Sequence, residues 1–155
     1  MTGRQNLLVA VLASPPRTTS GNRTRARVDL AGQALGFDST LIVNLLHLPT
    51  SDVTEISILG VDADSWLASR KSIDRALLIA GGVLAAWGQS EPTGAARGHQ
   101  RRQVEWLQSR ISSLGLRSWT VGGTPRHPSR WQRITHSAYP HETFALALGK
   151  ALQPS

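Results

Sequence analysis

Leu7-Leu8-Val9-Ala10-Val11-Leu12-Ala13 is an unbroken apolar run, closed by Ser14-Pro15-Pro16. A strand with one wet face alternates apolar and polar residues; a continuous run bounded by prolines reads as a strand covered on both faces. Parallel sheets demand such strands, because their crossover helices lie on either side. The rest of the chain supplies those helices. One is predicted from about Thr24, with Val28, Ala31 and Leu35 on a common face and Gly36 as its stop. Thr40-Leu41-Ile42-Val43 reads as a second strand. Asp62 to Ala80 reads as helical, in one or two pieces, with Asp62 as its cap, and Val83 to Trp87 as a third strand. His99 to Ser113 carries Val104, Leu107, Ile111 and Leu114 on one stripe with arginines opposite. Arg117 to Val121 is the fourth strand, and a closing helix is expected from about His141. Strand and helix alternate throughout, so the expected fold is a single-domain α/β three-layer sandwich around a four-stranded parallel sheet.

Composition agrees with one globular domain. At 155 residues the chain is long enough to bury roughly two thirds of its unfolded surface, and 40% apolar content is adequate for a core. The formal charge of +7 is carried by arginine, Lys71 and Lys150 being the only lysines. Guanidinium forks match phosphate geometry, so nucleic acid or a nucleotide is the expected partner. There is no cysteine, which removes disulfides and thiolate metal sites. The other histidines, His47, His99, His136 and His141, lack ligand spacing, so neither metal nor cofactor is expected. The apolar start is too short for a secretory signal and Ala76 to Trp87 too short to span a bilayer. The expectation is a cytoplasmic protein with no membrane partner.

In open α/β sheets the ligand lies beyond the carboxyl ends of the strands. Four loops converge there on this reading: residues 14–25, 44–51, 88–97 and 122–133. The last holds Thr124-Pro125-Arg126-His127-Pro128-Ser129-Arg130-Trp131. A proline-bracketed imidazole on a rigid loop is preorganised for chemistry, although a histidine satisfied within the loop is the simpler alternative. Neighbouring arginines would keep His127 neutral, suited to donating a hydrogen bond to a developing anion. Asn44 ends a buried strand, where its amide either satisfies a turn or reads the edge of a base. Trp87 and Trp131 offer faces for stacking, although core packing is the simpler role for Trp87. Arg126, Arg130 and Arg133 are candidate phosphate ligands.

These residues resemble two families. Ser14-Pro15-Pro16, Thr24 to Arg27, Val43-Asn44-Leu45-Leu46, Ala86-Trp87-Gly88 and Pro125-Arg126-His127-Pro128 match in order and spacing the uncharacterised bacterial family called domain of unknown function 1643, over about residues 7 to 131. The arrangement is also similar to the uracil-DNA glycosylase superfamily of DNA-repair hydrolases, whose His-Pro-Ser is matched by His127-Pro128-Ser129. That resemblance implies that Asn44 reads the base, that His127 stabilises the leaving base, and that Ser129, Arg130 and Trp131 hold the strand. It places Ser14 and Asn22 where the water-positioning group belongs. Here the sequence departs from the pattern, because no carboxylate lies near Ser14.

The expected function is therefore hydrolysis of the N-glycosidic bond of a base in DNA or in a nucleotide. Two alternatives stand beside it: a non-catalytic nucleic-acid-binding module of the same fold, and an enzyme acting on a small phosphorylated nucleoside metabolite.

Overall fold

The structure is a computed structural model that describes residues 3–17 and 21–155. Strand β1 (Leu7–Leu12) is buried along its whole length. Its alternate side chains enter two separate cores. Leu7, Val9 and Val11 join one with Ile56, Trp66, Ile73, Leu77 and Leu107. Leu8, Ala10 and Leu12 join the other with Val28, Ala31, Trp131, Leu148 and Ala151. The period of two along a strand makes this division, and it is why the run has no polar member.

Around β1 the sheet is ordered β2-β1-β3-β4-β5. Strands β2 (Ser39–Asn44), β3 (Gly82–Ala85) and β4 (Ser118–Val121) run parallel to β1 or to its neighbours. Helix α1 (Gly21–Ala34) covers one face. On the other lie α2 (Val53–Leu59), α3 (Ala63–Leu67), α4 (Arg70–Ile79) and α5 (Ala95–Ser113). After β4 come a 3-10 turn at Pro128–Arg130, α6 (Trp131–Ala138) and α7 (Phe144–Ala151), which return to the α1 side.

Three departures from the sequence expectation have plain causes. The sheet has a fifth strand, β5 (Leu152–Pro154), antiparallel to β4. Three residues ending in proline show no alternation, and proline is admissible there because the strand lies at the sheet edge. Helix α2 fills the stretch between the loop ending at Ser51 and Asp62, to which the sequence pattern assigns no element. Asp52 accepts from Glu55 N–H at 2.9 Å while Glu55 Oε1 accepts from Ser51 N–H at 2.5 Å, so Ser51-Asp52 and Glu55 form a reciprocal cap. Third, α1 begins at Gly21 rather than near Thr24.

Because β2 and β3 flank β1, the chain leaves β1 toward one side and later returns on the other. The carboxyl ends of β1 and β3 thus form a switch point, the place where an open α/β sheet leaves a crevice. Backbone bonds carry the sheet past the named strands, from Leu45 N–H to Leu12 O and from Ala86 N–H to Val11 O.

Candidate functional site

A cavity of about 1030 Å³ opens at that switch point, and all four loops beyond the strand ends line it. Ser14, Pro16 and Arg17 come from the loop after β1, and Asn44, Thr50 and Asp52 from β2 and beyond. Trp87, Gly88 and Gln89 follow β3, and Arg126, His127, Ser129, Arg130 and Arg133 follow β4.

The histidine loop is set by two consecutive left-handed glycines, Gly122 (φ 73°) and Gly123 (φ 89°). They turn the chain back so that Val121 bridges Thr124 and Pro125. Pro125 O then accepts from Gly88 N–H at 2.6 Å, which joins this loop to the one after β3. His127 caps the 3-10 turn: its Nδ1 accepts from Ser129 N–H at 3.1 Å and lies 2.9 Å from Ser129 Oγ. A ring nitrogen that accepts a backbone N–H carries no proton of its own, so the neutral ring holds its hydrogen on Nε2. Burial pushes the His127 pKa below its usual value, and the positive charges of Arg27 and Arg130 push the same way. The group on the cavity wall is a neutral imidazole with an N–H to donate.

Arg27 was not anticipated. From α1 it donates to Pro128 O at 2.9 Å and to Gln132 Oε1 at 3.4 Å, clamping the turn that holds the histidine. The Ser129 hydroxyl, which the resemblance assigns to holding the strand and its phosphates, is engaged with His127. Arg126 reaches Gln89 Oε1 at 3.0 Å, while Arg130 and Arg133 are exposed on the rim.

Two sequence assignments fall outside the cavity. The indole of Trp131 is fully buried in the core beneath α6 and donates its N–H to Arg126 O at 3.0 Å. Helix α6 starts at this residue and turns it inward, so it cannot offer a stacking face. Asn22 sits exposed in the first turn of α1, away from the lining, because the helix begins three residues earlier than expected. Ser14 and Trp87 do line the cavity. Ser14 Oγ shares a hydrogen bond with Thr50 Oγ1, and Trp87 also rests on the core below.

Asn44 pairs with Leu12 in register, at the end of β2. Its Oδ1 is occluded and without a hydrogen-bond partner among the described residues. Gln100 Oε1, from α5, is in the same condition on the same cavity. Sequence reasoning passed over Gln100 and Asp52. Both left a signal: Gln100 falls on the apolar stripe of α5 with Ala96, Gln103 and Leu107, and Asp52 opens a capping box. Asp52, from the loop after β2, brings a carboxylate to the cavity lining. Among the described residues no three His, Cys, Asp or Glu side chains gather to hold a metal, and no helix is long and apolar enough to cross a membrane.

Fold and cavity together define an open α/β protein with a ligand crevice at its topological switch point. A family model described as protein of unknown function, DUF1643, matches residues 2–129, and the chain belongs to that family. No curated protein and no solved structure matches the chain.

Proposed function

We propose that the cavity binds a nucleobase and hydrolyses its N-glycosidic bond, in the manner of a uracil-DNA glycosylase, on DNA or on a nucleotide. The observation that carries this reading is the state of His127. Its Nδ1 is occupied by Ser129 and its ring is held neutral, which leaves an Nε2–H donor for a departing base anion. Water adds to the anomeric carbon, the C–N bond breaks, and its electron pair leaves with the base, which later takes a proton from solvent. Asp52 orients the water and accepts its proton, Asn44 reads the base edge and Trp87 covers a base face. Arg126, Arg130 and Arg133 hold phosphate. A cavity of about 1030 Å³ has room for a whole nucleotide, and a base taken from DNA would have to be unstacked into it at a cost of a few kcal/mol.

The test is release of free base from single-stranded oligonucleotides, deaminated and undamaged, and from free nucleotides. Purified wild type releases base, and His127→Ala slows release by about 100-fold or more, the contribution of one preorganised donor. Absence of release from every substrate rejects the hydrolase. The exposed arginines of the rim favour one second reading, a non-catalytic nucleic-acid-binding module, in which Arg126→Ala and Arg130→Ala weaken binding and His127→Ala does not.

A further inference from the structure

Helix α5 carries two buried glutamines one turn apart, and they differ completely in their surroundings. Gln103 is 1% exposed and fully paired. Its Nε2 donates to Leu45 O at 2.9 Å and Trp66 O at 2.7 Å, and its Oε1 accepts from Arg70 Nε at 2.9 Å. It ties α5 to the chain beyond β2. Gln100 is 4% exposed and lines the cavity, yet its side chain makes no hydrogen bond to the described residues and its Oε1 is sealed from solvent. A buried acceptor without a donor opposes folding. A hydrophobic residue would serve the helix better at that position, so the amide has no structural account.

Asn44 Oδ1 has the same deficit. Gln103 holds α5 against Leu45, the residue after Asn44, so the two unpaired carboxamides approach the cavity from adjoining elements. Each oxygen calls for an N–H, and a bound ligand supplies it only once the amide turns its sealed oxygen toward the cavity. We propose that Gln100 is a ligand-recognition residue which, with Asn44, selects a nucleobase bearing an exocyclic amino group. This rests on the reading of the cavity as a base site. In glycosidic linkage an oxo base such as uracil or hypoxanthine offers one ring N–H, and its binding would leave the other oxygen buried and unpaired. An amino group supplies the additional hydrogens. Sites built on such pairing reject analogues that lack the donor.

The experiment compares wild type with Gln100→Met in two measurements. Calorimetric titration uses two pairs of 5′-monophosphates that differ at the amino position, guanosine with inosine and cytidine with uridine. Wild type binds the amino member of at least one pair about tenfold more tightly, the scale of one hydrogen bond to a buried group. Gln100→Met erases that preference. Thermal melting of the free proteins gives the second readout: the variant melts no lower than wild type, because methionine fills similar space without an unpaired oxygen. Equal binding within both pairs overturns the proposal, as does a preference that survives in Gln100→Met. A clear fall in melting temperature also overturns it, since the amide would then be structural. If wild type binds none of the four nucleotides, the reading of the cavity fails and this inference fails with it.

Discussion

At the scale of the residue, His127 shows how a side chain is prepared by its neighbours. Ser129 occupies one ring nitrogen, and burial with Arg27 and Arg130 disfavours a second proton. This has a definite pH consequence. The unfolded chain takes up that proton near pH 6.5 and the folded chain only below it. Between those two values the unfolded state holds more protons, so stability is lost as pH falls below about 6.5 and levels off beneath the folded value. Urea midpoints measured from pH 8 to pH 5 will therefore drop more for wild type than for His127→Gln; parallel curves would exclude a depressed pKa. If the cavity releases base as proposed, the rate should follow the same proton. Its acid limb, measured as release rate against pH, should lie below the pH at which an ordinary histidine takes up a proton, because the neutral ring is the donor. Proline bracketing and flanking arginines made much of this legible in the sequence. Arg27 stood in the Thr24 to Arg27 motif, but its contact with the histidine turn was not legible, because a contact spanning 101 positions leaves no local trace.

At the scale of the element, the short helix α2 illustrates how one carboxylate can serve two purposes. Asp52 caps the helix and also borders the cavity. Asparagine caps a helix about as well as aspartate does, whereas alanine loses about 1 kcal/mol. Asp52→Ala should accordingly lower unfolding stability by about that amount, and Asp52→Asn should leave it within a few tenths. Base release separates the roles differently, for both variants lose the carboxylate and both should slow. An Asp52→Asn protein with undiminished release would remove Asp52 from the chemistry. The long elements were readable from periodicity alone: the apolar run of β1, the stripe of α5 and the glycine after α1 each announce themselves. The short ones were not. Helix α2 spans seven residues and β5 three, too few for a period to repeat. Trp131 was misassigned for a related reason, since an indole beside arginines looks like a stacking face until α6 turns it into the core.

At the scale of the whole molecule, the charge of +7 is unevenly useful. Arg17 pairs with Glu55 at 2.8 Å, Arg101 with Glu91 at 2.7 Å and Arg110 with Asp74 at 2.8 Å. Arg130 and Arg133 have no such partner among the described residues and stand on the cavity rim. Binding of single-stranded oligonucleotides should thus weaken with salt, the log–log slope falling by about 0.7 for each phosphate contact removed. Arg130→Ala and Arg133→Ala should each reduce the slope by about that amount, while Arg110→Ala should leave it unchanged. Fluorescence anisotropy across a salt series decides this, and three identical slopes would detach the rim from nucleic acid.

The bond from Gly88 N–H to Pro125 O couples two loops that belong to different strands. Its hydrogen is shielded only while the turn bearing His127 is seated against the end of β3. The exchange rate of this single amide in heavy water is therefore a clock for how often the histidine swings away. A ligand that needs both loops would slow that clock in proportion to the time it spends bound.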